Sequence, residues 1–154
     1  MKNFEIKKIL LNHYLLMLTP AIVLIALLYL LKYFEINFYG NFAGKVVSVL
    51  ALTFAGLFAV GLPVFYRSLF VNKVKNLKDV PIADFINYEK TTIMIALVTP
   101  YVLAFSLILN LKETYISFLS FFSIYAAYYY YPSGRKIKFE KKIFRIKEED
   151  DDEK

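Results

Sequence analysis

Polar and apolar positions along this chain fall into long alternating blocks. Four blocks, about residues 10–33, 46–65, 91–111 and 115–131, are apolar on every helical face, and the one charge among them is Lys32 at the end of the first. A helix on the surface of a soluble domain keeps a polar face, and these blocks have none. Their solvent is therefore lipid, and the predicted fold is all-α: a polytopic membrane protein with four transmembrane helices.

The first block contains Pro20. A helix starting there would leave 14 residues up to Tyr33, about 21 Å, too short for a hydrocarbon core of about 30 Å. Pro20 is thus expected inside the helix, where it frees the carbonyl of Leu16 and kinks the rod. The Thr19 hydroxyl is expected to soften the loss by bonding one turn back. The same pair recurs 80 residues later as Thr99-Pro100, and at that offset seven of the 22 residues from Met17 to Phe38 are identical. This predicts a duplicated helical hairpin, two helices plus two in parallel, rather than the inverted repeat of many transporters. Thr19, Pro20, Thr99 and Pro100 then have two readings. Two splayed helices frame a cavity with free carbonyls, or the kinks only shape the bundle.

The second block carries small residues on one face, with Ser48, Ala51, Ala55 and Ala59 at helical spacing. Such a face is expected to pack closely on another helix, because lipid tails give leucine no reason to prefer protein. Pro63 lies near its end. From Arg67 to Lys90 the chain is predicted as the longest connection, with a short interfacial helix over 81–88. The 110–114 turn is tight, so the third and fourth blocks form an antiparallel hairpin.

Residues 1–134 are thus read as the four-helix transmembrane domain and 135–154 as a cytoplasmic tail. The tail begins with seven basic residues, Arg135, Lys136, Lys138, Lys141, Lys142, Arg145 and Lys147, around one acid, Glu140. Phe139, Ile143 and Ile146 at i, i+4 and i+7 predict an amphipathic helix on the membrane surface, and the alternation of Ile137 and Phe139 with lysines suits a strand instead. Six acids in a row, Glu148 to Glu153, predict disorder. The expected partner of the basic segment is the anionic cytoplasmic leaflet of the bilayer, not nucleic acid.

Charge then sets orientation. Sixteen of the 19 Lys and Arg residues fall in the N-terminus, the central connection and the C-terminal tail. The positive-inside rule places all three in the cytoplasm. Abundant Phe, Tyr, Lys, Ile and Asn suit an AT-rich genome, and so a bacterial inner membrane. No cysteine is present and His13 is the single histidine, so neither a thiolate nor a histidine cluster holds a metal. His13, Arg67, Asp84, Glu89, Lys90 and Arg135 show no metal or nucleophile spacing, and no phosphate loop occurs. Neither an enzyme nor a cofactor is expected. Ser117, Ser120 and Ser123 are read as pore-lining in an oligomer or as bonding within their own helix. Two functions follow: a non-enzymatic scaffold or accessory subunit that packs on a membrane-protein partner or on itself, and an oligomeric transporter or channel component.

The orientation is testable because the chain has no native cysteine. Cysteines placed at Asn76 and Lys154 are expected to react with a membrane-impermeant maleimide only from the cytoplasmic side, and one at Asn41 only from outside. Labelling of Asn76 from outside would overturn the four-span order.

Overall fold

The structure, a computed structural model, describes residues 3–34 and 44–146. Regular structure among them is helical: α1 (Asn3–Tyr33), α2 (Lys45–Gly56), α3 (Leu62–Val74), α4 (Ile82–Ala96), α5 (Val98–Ile108), α6 (Glu113–Tyr129) and α7 (Gly134–Ile143). Three rods are long and apolar enough to cross a membrane: α1, the joined α2–α3 over Lys45–Val74, and the joined α4–α5 over Ile82–Ile108. The α6 helix has 17 residues, about 25 Å of rise. The outer segment around Asn41, the acidic run and Lys147 lie outside the described residues.

Both prolines of the central rods are accommodated by local geometry. Pro63 cannot donate to the carbonyl of Ala59, and the residues before it, Leu57–Gly61, widen into a π turn. There the Leu62 N–H reaches the carbonyl of Leu57, five residues back, so the ring meets a looser turn instead of a broken helix. Ahead of Pro100, α4 ends at Leu97, whose ψ of 1° leaves the helical region. By contrast, α1 runs through Pro20 as one 31-residue helix.

The second rod is longer than its apolar block. It continues past Arg67 to Val74, and α4 already begins at Ile82, so the central connection is the short stretch 75–81. Lys and Arg are good helix formers, and charge marks the end of the lipid, not the end of the helix. The expected interfacial helix over 81–88 is therefore the first half of α4, continuous with the third block.

Small residues let these rods approach. Ala55 is wholly buried against Leu103, Ala104, Leu107 and Leu119, and Ser48 is buried one turn-pair earlier. Ala51 is half-buried beside them. At the next level Ala59, Ala96 and Ala126, each 0% exposed, bring three helices together above Tyr130. A Cβ on Gly56 would come within 3.7 Å of the Phe122 ring. The small-residue face thus meets α5 and α6 of its own chain.

Polar groups inside the bundle mostly bond to backbone. Thr92, Ser106 and Ser123 donate to the carbonyls of Tyr88, Val102 and Leu119 at 2.8, 2.7 and 2.8 Å. Two tyrosines cross between helices: Tyr14 donates to the Ala127 carbonyl and Tyr101 to that of Met17, both at 2.7 Å. Helices α5 and α7 end alike. Asn110 (φ 50°) and Arg145 (φ 52°) adopt the left-handed conformation. The next N–H, of Leu111 and Ile146, returns to Ser106 and Lys141, which is the Schellman closure without its usual glycine.

Ala55→Leu is expected to destabilise the fold by about 1–3 kcal/mol, because three methyl-sized groups must enter a filled contact. Leu57→Ala, at a side chain 44% exposed, serves as control. Thermal unfolding in detergent that moves equally for both variants would remove the packing argument.

Candidate functional site

At the end of the bundle that carries Asn3 and the 75–81 connection, the C-terminal segment folds back beneath the long helices. Pro132 ends the α6 exit, and Ser133 starts α7, its Oγ accepting the Lys136 N–H at 3.2 Å. The inward face of α7 is Ile137, Glu140 and Lys141, with Phe144 just past its end, all buried. Phe139 and Ile143, expected to form the apolar face, are 64% and 46% exposed, and Ile146 lies beyond the helix. The helix forms, and a second face, opposite these exposed side chains, packs against the bundle. Ile137 and Phe144 select the docked face because they meet Phe70, Tyr88 and Phe85 in one cluster. Ile146 then forms a parallel bridge with Val80.

Docking α7 buries charge, and the chain supplies the partners. Arg67 on α3 donates from Nη1 to Glu140 Oε1 at 3.1 Å. Lys136 Nζ lies 3.7 Å from Glu89 Oε2 on α4. Glu89 is 2% and Glu140 5% exposed, and their carboxyl groups interact with each other as well as with the two cations. Arg67, Glu89, Lys136 and Glu140 therefore form one cluster spread over α3, α4 and α7, in which burial pushes the Glu89 carboxyl up to about 7 against the pull of Lys136. Aromatic rings close it off: Phe70 stacks on Tyr88 at 4.3 Å, Phe144 meets both edge-on at 5.1 and 5.5 Å, and the Lys136 ammonium sits 5.3 Å from the Tyr130 ring. The cavity among these groups is about 40 Å³, enough for water but far below the roughly 300 Å³ of a ligand pocket. The arrangement can clamp a helix and has no room for a substrate.

The other residues singled out from sequence are scattered. Thr19 and Pro20 are exposed on α1, whereas Thr99 and Pro100 are buried in α5. The Thr99 hydroxyl has no bond to the turn before it, because the chain leaves helical geometry at Leu97. The Tyr101 hydroxyl donates to the carbonyl of Met17, the residue after Leu16. His13 is half-buried on α1, and Asp84 pairs loosely with Lys73 at 3.8 Å. Within the basic segment, Arg135, Lys138, Lys142 and Arg145 are exposed, Lys136 pairs with Glu89, and Lys141 donates to Asn3 Oδ1 at 2.7 Å. Ser117 donates to the Glu113 carbonyl, and Ser120 is half-buried. Reading the sequence missed the clamp. Its one trace in the sequence was Glu140, the single acid amid seven basic residues.

No protein-family model matches this chain, and neither a curated protein nor a solved structure does.

Breaking a buried pair costs more than deleting it, because the survivor stays desolvated. Lys136→Met strands Glu89 and is expected to cost about 3–5 kcal/mol. Glu89→Gln leaves a lysine able to reach water and is expected to cost less, and the double variant is expected to recover most of the loss. Unfolding midpoints combined in a double-mutant cycle measure this. Strict additivity would remove the coupling.

Proposed function

We propose that this chain is a non-enzymatic scaffold or accessory subunit of a membrane complex, crossing a bacterial inner membrane four times with both termini in the cytoplasm. The fourth crossing is α6, which follows α5 after a four-residue turn and so returns antiparallel to it. Charge asymmetry supplies the orientation, and the charge-free length of the apolar blocks argues against an ion path.

One observation carries the scaffold reading. Between α2 and α5 runs an open groove of about 420 Å³, lined by side chains such as Leu50, Phe54, Phe58, Val102 and Phe105. It is apolar throughout and lies along two helices read as spans. The small-residue face is occupied within the chain, so this groove is the concave apolar surface left for another transmembrane helix, from a partner or a second copy. Knob-like side chains of a partner helix would fill it, with dispersion rather than hydrophobic burial as the attraction.

The alternative, an oligomeric transporter or channel component, draws less support. The hydroxyls of Ser106, Ser117 and Ser123 already donate to their own helices, which leaves their protons unavailable to a permeating ion or water file. The parallel repeat draws little support: α1 runs through Pro20 as one helix whereas the third rod breaks at Leu97 ahead of Pro100, and Pro63 sits in a helix interior whereas its counterpart Pro132 follows the end of α6.

Photo-crosslinkers placed in the groove at Leu50, Phe54 and Phe105 are expected to capture one discrete product in native membranes, either a second protein or a dimer. Reporters at Phe121 and Ile124 on α6, 66% and 70% exposed, are expected to capture lipid alone. Equal yields from both sets would overturn the groove as the assembly surface.

A further inference from the structure

The clamp at the base leaves one polar atom unserved. Arg67 Nη1 donates to Glu140 Oε1 at 3.1 Å, while Glu140 Oε2 is buried and no donor among the described residues reaches it. Glu89 is weakly served. Its Oε2 lies 3.7 Å from Lys136 Nζ, close enough to attract and too far for a hydrogen bond. Both carboxyl groups line the same cavity of about 40 Å³ and act on each other there. That cavity receives Arg67 from α3, Tyr129 and Tyr130 from the end of α6, and Lys136 with Glu140 from α7. On α4 itself Tyr88 stands beside Glu89, and the lining includes no residue of α1, His13 among them.

Burial is uneven across the four groups. The Arg67 and Lys136 side chains stay 38% and 21% exposed, those of Glu140 and Glu89 only 7% and 3%. The cations thus remain partly hydrated, which weakens their pull, while the acids carry nearly the whole cost of leaving water. Two carboxylates in one such site repel, and a single proton between them relieves the repulsion. An O–H on Glu89 also supplies the donor that Glu140 Oε2 lacks. Glu89 precedes the apolar block that begins at residue 91, so the proton is exchanged at the edge of the lipid rather than within it.

We propose that Glu89 and Glu140 share one proton, and that this proton latches α7 to the bundle. Acid tightens the latch and base loosens it. Burial pushes the Glu89 carboxyl up to about 7 in the docked state, and undocking α7 returns it toward the ordinary value of 4.5. The docked state therefore holds the proton more tightly. Its advantage is whole below pH 4.5 and is lost as pH rises through about 7. The other ties of α7 named above, the apolar contacts of Ile137 and Phe144 and the bridge from Val80 to Ile146, bind no proton. Opening carries Phe144 off the rings of Phe70 and Tyr88, so the proton controls access to an aromatic surface. The latch works whichever side of a membrane the base faces, and does not rest on the function proposed above.

Hydrogen exchange of the full chain in nanodiscs, read by mass spectrometry between about pH 5 and pH 8, tests this. A helix of 10 residues is marginal alone, so undocking opens its amides. Dividing each rate by the intrinsic rate at that pH leaves a protection factor that measures closing. For peptides covering residues 137–144, protection is expected to fall as pH rises, by up to about tenfold per unit between about pH 5 and 7. Peptides of α5 are expected to hold theirs. In Glu89→Gln, whose amide replaces the O–H as donor to Glu140, α7 protection is expected to stay level with pH. A protonated-carboxyl infrared band in the unaltered chain, fading as pH passes about 7, checks the proton without any variant. Level protection in the unaltered chain, an equal fall in Glu89→Gln or in α5, or no such band overturns the latch.

Discussion

A polar group inside this bundle has almost nothing to bond with except the chain itself, and much of the architecture follows from that constraint. Hydroxyls at Thr92, Ser106 and Ser123 return to their own helices. Tyr14 and Tyr101 reach across to α6 and to the carbonyl of Met17 on α1. Where prolines remove a donor, the backbone adjusts through the π turn before Pro63 and the break at Leu97. At the base the same demand applies to full charges. Desolvating a carboxylate or an ammonium costs several kcal/mol each, so Glu140 comes in with Arg67, and Glu89, pushed up to about 7 by burial, is held between Lys136 and a proton.

Ion pairs of this kind add little net stability compared with apolar packing, yet they are sensitive to position. Ile137 and Phe144 supply the attraction that docks α7, and would accept some sliding. The cluster would not, since a shift by one residue on α7 swings its face by about 100°. The π turn serves the same register. Above it the second rod offers Ala55 to α5 and α6, and below it the rod offers Arg67 and Phe70 to α4 and α7. Its extra residue adjusts the phase between the two tasks.

What was legible in the sequence and what was not divide along a physical line. All-helical architecture and three rods fit to cross a membrane could be read from blocks whose composition repeats the same message some twenty times over. Close packing by Ala55 and Ala59 was readable because helical periodicity alone puts them on one face. Helix ends were not, since Arg67 to Val74 is as helical in propensity as what precedes it. The base was least readable. Arg67, Glu89, Lys136 and Glu140 become neighbours only through tertiary folding, and although the lone acid Glu140 hinted at a partner, pairing across 73 positions, as from Arg67 to Glu140, does not say which. The inward face of α7 was missed for a related reason. Phe139 and Ile143 make a good stripe, but the competing pair Ile137 and Phe144 found an aromatic pocket built by α3 and α4.

The position of α7 in the chain has a consequence for how the molecule is made. Among the described helices it leaves the ribosome after all the others, and synthesis at about 5–20 residues per second separates it by several seconds from Glu89. During that interval the third rod is already complete while its carboxylate has neither Lys136 nor a roof of aromatic rings. Until Lys136 arrives, Glu89 is held at a water-facing edge or protonated. A chain truncated before Gly134 would lack that cover and present an open, charged and aromatic underside around Arg67, Phe70, Tyr88 and Glu89.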